Sequence, residues 1–285
     1  MSMKCAVVVG VRGDNDRLRE WCLHYINLGF DKIILYDNNP KGGENPLDVV
    51  YDLKQFITYV DKRGDETKGK QMKYYSEALF LFKDQFDWIA FFDSDEYLVL
   101  NKDLLIKEYL SRDMFKDVDC IHVNWKMYNS GDRLFEDPDL STFENYPTPM
   151  PLDFHYGYKF PENNHIKSIV HSSHCRDKTV IFNHPHYCMT WSGQTLTAVT
   201  ASGHPCPNMY PWVAYDYEYA ELRHYQLRTV DKFCFKRLGG RGMIMFDGAI
   251  YDPKKEIDRF FAYNKKTPER EQYIKQYCRE HDIRL

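Results

Sequence analysis

Short, wholly apolar runs separated by amphipathic stretches fill the first half of the chain. Residues 4–11 (KCAVVVGV) and 88–92 (WIAFF) are continuously apolar, the pattern of strands buried on both faces of a mainly parallel sheet. Residues 32–36 (KIILY) and 56–60 (FITYV) share that character. Between the first two strands Leu18, Trp21, Cys22, Tyr25 and Leu28 recur at helical spacing, so one face of the intervening helix is apolar. The loop Arg12-Gly13-Asp14-Asn15 can cap that helix and Gly29 can stop it. Helices are also expected over 45–53, 70–83 and 102–112, with another strand at 120–128. Strands alternating with helices imply right-handed crossovers and an α/β fold around a parallel sheet.

The pattern changes at Asn129. From there to about Tyr217 the chain is rich in Pro, His, Asn, Gly and Ser, and only short strands are expected, at 168–171 and 179–182. Residues 218–226 read as a last strand, and Thr229 caps a helix over 230–238 that ends at Gly239-Gly240. Two charged helices follow at 253–264 and 268–280. The expected organisation is a regular α/β half at 1–128, a loop-rich half of the same domain at 129–250 carrying the variable recognition surface, and a helical tail at 251–285.

Composition narrows the function more than the fold. The chain has 285 residues and a net charge of −4, which gives no reason to expect a nucleic-acid partner. No apolar run approaches the roughly 20 residues of a membrane span, and the first twelve residues lead into a strand rather than a signal peptide. The eight cysteines include no Cys-x-x-Cys pair and several fall in apolar patterns, so buried thiols in a reducing cytoplasm are expected. Aromatic residues make up 16% of the chain, which suits stacking on a base or on sugar rings and equally suits a core.

The candidate chemistry sits where the 88–92 strand stops. Asp93-Ser94-Asp95-Glu96 places three carboxylates in four residues at the carboxyl end of a buried strand. Charge there is costly unless it is paired or binds a metal, and open α/β sheets hold ligands at that edge. Two aspartates one residue apart can serve one hard divalent cation that also bridges phosphates. Arg12 and Asp37 end two neighbouring strands, so these polar residues converge on one crevice. There is no Gly-x-Gly-x-x-Gly after the first strand and no phosphate-binding Gly-x-x-x-x-Gly-Lys-Ser/Thr, which removes support for dinucleotide and P-loop chemistry. An acidic motif without a phosphate loop suggests that the metal itself holds a diphosphate.

At this point the chain resembles inverting GT-A-fold glycosyltransferases of the family 2 and family 92 type. The matching pieces are Glu20-Trp21, His24-Tyr25, Leu28-Gly29-Phe30-Asp31, Leu35-Tyr36-Asp37-Asn38, Gln71 and the run from Trp88 through Glu96. Val123-Asn124-Trp125, Lys167-Ser168-Ile169-Val170, His184 with His186, His224-Tyr225, and Lys236 with Arg241-Gly242 continue the match in family order.

The resemblance implies that Asp93 and Asp95 hold Mn²⁺ or Mg²⁺ on the diphosphate of a UDP-sugar, galactose being the first guess. It places Asp37 at the base, Arg12 near the ribose or base, and Gln71 in the donor pocket. His186 or His224 would complete the metal site, and Lys236 and Arg241 would neutralise the leaving diphosphate. For the proton-accepting carboxylate the alternatives are Asp132, Glu136, Asp137 and Asp231, with Asp132 preferred because it closely follows the Trp125 strand. The acceptor would be a growing glycan, free or lipid-linked, met in polysaccharide biosynthesis at most peripherally to a membrane. Two rival readings stand beside this one. Seven of the eleven histidines lie between His155 and His204, and His171/His174/Cys175 with His184/His186/Cys188 offer tetrahedral zinc ligands for a hydrolase. A non-catalytic sugar- or nucleotide-binding module is the other.

Overall fold

The computed structural model describes residues 2–157, 159–239 and 252–284. Its first half runs β1 (Cys5–Val11), α1 (Asn15–Asn27), β2 (Lys32–Asp37), α2 (Leu47–Val50), β3 (Ile57–Asp61), α3 (Lys70–Phe82) and β4 (Trp88–Phe91). Next come β5 (Glu96–Leu100), α4 (Ile106–Leu110) and β6 (Cys120–Asn129). The loop-rich half adds α5 (Thr142–Asn145), β7 (Thr148–Pro149), β8 (Ile166–His171), β9 (Val180–Phe182), β10 (Cys188–Thr190), β11 (Ala198–Thr200), β12 (Pro205–Cys206) and β13 (Ala220–His224). α6 (Val230–Phe233) then runs into a π-helical turn at Cys234–Leu238, and α7 (Pro253–Tyr263) and α8 (Pro268–Glu280) end the described chain.

The main sheet has the order β12-β11-β6-β8-β4-β1-β2-β3. β4, β1, β2 and β3 are mutually parallel, as the strand–helix alternation requires. β1 shows why its sequence is apolar throughout. Cys5, Val7, Val9 and Val11 join the layer with Trp21, Cys22 and Tyr25 of α1, whereas Ala6 and Val8 join Tyr74, Tyr75, Ala78 and Leu79 of α3. Each such side chain, fully buried, contributes about 1.5–3 kcal/mol. All eight cysteines are free thiols and seven are buried. Among the described residues no helix is long and apolar enough to cross a membrane.

Three features differ from the sequence-based expectation. β8, from the loop-rich half, inserts antiparallel between β4 and β6, so residues from both halves interleave in one sheet. The acidic turn is followed at once by β5, which pairs antiparallel with β13; β13 also lies parallel to β6. The helix expected at 102–112 is only α4, because the Glu108 carboxylate folds back to accept the Leu104 and Leu105 amides at 3.1 Å each and starts the helix late.

The helix face read as a plain apolar stripe also holds the acidic turn in place. Trp21 Nε1 donates to the carbonyls of Asp93 (3.1 Å) and Glu96 (2.8 Å), and the Tyr25 hydroxyl donates to the Glu96 carbonyl at 3.0 Å. Tyr25 in turn accepts the Leu98 amide at 3.1 Å. Both side chains are fully buried. Trp21→Phe keeps most of the apolar volume but removes the donor, so it is expected to cost about 1–3 kcal/mol in urea-induced unfolding. An unchanged midpoint would show that the turn holds itself.

Candidate active site

β4 ends in a buried ion network. Lys167, 1% exposed, sets its Nζ 2.8 Å from Asp93 Oδ2 and 3.8 Å from Glu96 Oε1. Burial alone would pull the Lys167 pKa down, but Asp93 and Glu96 outweigh it and hold the ammonium charged. The other Asp93 oxygen accepts Gln71 Nε2 at 2.5 Å and the Tyr75 hydroxyl at 3.0 Å. Glu96 is fully buried and accepts Trp125 Nε1 at 2.7 Å and the Asp93 amide at 2.8 Å. Burial pushes its carboxyl upward from the usual carboxylate range, against the pull of Lys167. Asp93 is thus committed to three side chains, and Glu96 is structural.

Asp95 is placed differently. Its Oδ1 lies 3.4 Å from His224 Nε2, and its carbonyl accepts the Tyr225 amide at 2.9 Å. Burial works against ionisation, yet His224, Lys236 and Arg228 hold the carboxyl well below its ordinary range. Asp95 and Asp93 face one cleft of about 340 Å³, walled by Trp125, Trp212 and the histidines His165, His184, His186 and His224. Arg237 and Arg259 also line it. Arg237 Nε is buried with no hydrogen-bond partner among the described residues, and burial together with the Arg259 charge pulls its pKa down. A buried guanidinium in that state favours an incoming anion.

The sequence-derived candidates fall into three groups. Asp93, Asp95, Gln71, His186 and His224 line the cleft together. Lys236 sits beside it, paired with Asp14, in a smaller cavity that shares Asp95 and Arg237 with the cleft. Arg12 and Asp37 lie at the expected sheet edge, but their groups serve the loops there. Asp37 is fully buried and accepts Asn39 N (2.9 Å), Asn39 Nδ2 (2.8 Å) and the Tyr59 hydroxyl (2.8 Å), whereas Arg12 Nη1 donates to Glu66 at 2.9 Å. Asp132 is remote from the cleft lining: its side chain is 91% exposed, with Lys265 Nζ 3.8 Å away. Glu136 pairs with Arg17. Arg241 lies outside the described residues.

The two histidines differ in what supports their rings. His186 places Nδ1 2.6 Å from the Ile166 carbonyl, so Nδ1–H donates and Nε2 keeps its lone pair. Burial, then Lys167 and the neighbouring histidines, push its pKa well below the ordinary value, so the ring is neutral. His224 Nδ1 is buried without a partner among the described residues. A metal-bound imidazole normally donates its second N–H to an acceptor, so His224 fits better as the Nε2–H donor that orients Asp95. Asp95 then fits a divalent ion that takes one or two protein carboxylates and completes its shell with phosphate oxygens. Among the described residues no group of three or more His, Cys, Asp or Glu is arranged to hold a metal. Lys167, Arg237 and Arg259 escaped the sequence reading as site residues. Lys167 carried a signal, a charge at the head of the apolar run Ser168–Val170, whereas Arg259 looked like any surface position of a charged helix.

No curated protein matches the chain significantly. Solved structures that resemble it include S. aureus TarS 1-349 in complex with UDP, at 16% identity and a TM-score of 0.36, covering 61% of this chain and 48% of that one. TarS 1-349 in complex with UDP-GlcNAc resembles it at 14% identity and a TM-score of 0.38, covering 98% and 80%. The profile of glycosyltransferase family 92 matches residues 4–280, nearly the whole chain. The chain belongs to glycosyltransferase family 92.

Proposed function

We propose that this protein transfers a sugar from a UDP-sugar to a glycan hydroxyl with inversion at the anomeric carbon, assisted by Mn²⁺ or Mg²⁺. The observation that carries the reading is Asp95, kept ionised in a cleft whose other charged lining includes Arg237, its buried Nε without a partner among the described residues, and Arg259. Asp95 would hold the ion, which when bound supplies positive charge to the diphosphate oxygens. Asp93 would set Lys167 and Gln71 at the wall of the donor pocket rather than spend its carboxylate on the ion.

The chain's own groups then account for the rest. The bond between C1 and the phosphate oxygen breaks, and its electron pair leaves with the diphosphate, facing Arg237 and Arg259. The acceptor oxygen forms its new bond to C1 from the opposite face. Its proton passes to His186 Nε2, the cleft nitrogen whose lone pair is fixed by the Ile166 carbonyl. Trp125 lies between the two roles, its ring centroid 5.0 Å from His186 and 4.2 Å from His224.

The direct test is release of UDP from UDP-galactose, UDP-glucose and UDP-N-acetylglucosamine with Mn²⁺, Mg²⁺ or EDTA, in the presence of glycan acceptors. UDP-galactose is the first donor to try. Absence of release from every donor would remove the proposal. Asp95→Asn is expected to lower turnover about 10²-fold or more and to abolish metal-dependent UDP binding while the chain still folds, melting somewhat lower because His224, Lys236 and Arg228 lose their carboxylate; full activity would overturn its role. His186→Asn is expected to lower kcat about 10²-fold while leaving UDP affinity intact. Because the folded-state pKa is depressed, the proton-accepting form survives as pH falls below 6.5. The acid limb of the wild-type kcat profile should therefore lie below the ordinary imidazole value of about 6.5, and a limb centred near 7 would count against His186.

A further inference from the structure

The cleft accounts for the reacting groups, and a second concavity lies beside it. Beyond Trp212 lies a groove of about 1030 Å³, and Trp212 lines both spaces. Its indole stands between them: the Phe160 ring in the groove is 5.3 Å away, and the His165 ring in the cleft is 6.1 Å away, edge-on. The tryptophan is held there by backbone bonds from Ile166 N to Pro211 O (3.0 Å) and from Val213 N to Asn164 O (2.8 Å). Those bonds tie the groove to the residues that lead into Lys167.

The groove has the chemistry of a saccharide platform. Tyr210 and Tyr215 are 55% and 44% exposed and, with Phe160 and Trp212, offer aromatic faces to the apolar C–H faces of pyranose rings. Asp216, His204 and Asn164 supply polar atoms at the edge, where ring hydroxyls need partners. Asp216 is already oriented by Thr200 Oγ1 (2.5 Å) and His204 Nδ1 (3.1 Å), so its carboxylate is fixed in advance of any ligand. Lys159 is the single Lys or Arg among its lining residues. That charge pattern suits a neutral chain and gives a polyphosphate no cluster of cations. The volume lies at the upper end of ordinary ligand pockets, and Trp212 forms a wall common to groove and cleft.

We infer that this groove is an acceptor subsite that binds the sugars preceding the reacting one, and that the acceptor is therefore a neutral oligosaccharide rather than a monosaccharide or an anionic polymer. The inference rests on the transferase reading above. It makes Tyr210, Trp212 and Tyr215 determinants of acceptor length, without a part in the transfer step itself.

The test is an array of defined neutral mono- to pentasaccharides, with phosphorylated counterparts, probed with the full chain in UDP and Mn²⁺. Retention of neutral oligosaccharides over monosaccharides is expected, weakened at least tenfold in the Tyr210→Ala/Tyr215→Ala double variant. Both tyrosines are exposed, so the variant should keep the wild-type melting temperature and UDP affinity, measured in parallel. No retained oligosaccharide, retention indifferent to the double variant, or preference for the phosphorylated glycans would each overturn the subsite. Failure of the wild-type protein to bind UDP would instead strike the transferase reading, so the two failures are distinguishable.

Discussion

One buried ammonium governs the architecture of this site. Lys167 comes from β8, the strand that runs against the direction of its neighbours, and meets Asp93 and Glu96 at the end of β4. Taking an ammonium and the Glu96 carboxyl out of water is costly, and attraction to the part-exposed Asp93 offsets that cost only with good geometry and further hydrogen bonds. Trp125, Gln71, Tyr75 and the Asp93 amide supply those bonds. The network fixes which side of the acidic turn faces inward. With Asp93 and Glu96 satisfied by the protein, Asp95 is left to face the cleft and its histidine.

The same constraint joins the two halves of the chain. A lysine on β8 can reach Asp93 only if β8 lies beside β4, and the antiparallel register from Trp88↔His171 to Ala90↔Ile169 does this. Tyr25 and Trp21 brace the turn from the opposite layer. The site is therefore supported from both faces of the sheet by residues far apart in sequence.

Much of the scaffold was legible in the sequence, because β1, β2, β4 and α1 have unambiguous periods. The starts of α7 and α8 rest on local chemistry that the sequence reading did not single out: Asp252 accepts the Lys254 amide at 3.0 Å, and Thr267 accepts the Arg270 amide at 3.4 Å. β5 was not legible, since Glu96-Tyr97-Leu98-Val99-Leu100 is fused to the preceding strand by only a three-residue polar turn. Nor can a short apolar run such as Ile166–His171 state its direction in a sheet. The cleft followed the same division. Asp93 and Asp95 were readable from their position at a strand end and Gln71 only through the family resemblance, whereas the burden carried by Asp37 inside its own loop depends on Asn39 and Tyr59 folding over it. Distance along the chain says nothing about whether Asp132 reaches the crevice, and its exposure reflects a loop that turns outward.

The wide turn at Cys234–Leu238 has a consequence for how this region tolerates change in length. A π turn accommodates one more residue than an α-helical turn and is held only by its surroundings. Here it lets two consecutive cations, Lys236 toward Asp14 and Arg237 toward the cleft, serve separate partners. Loss of one residue would let the segment relax to an α-helix with its flanks still in phase, so the change would fall on the cations inside the turn. The helix would survive such a deletion, and the separate aims of Lys236 and Arg237 would be lost.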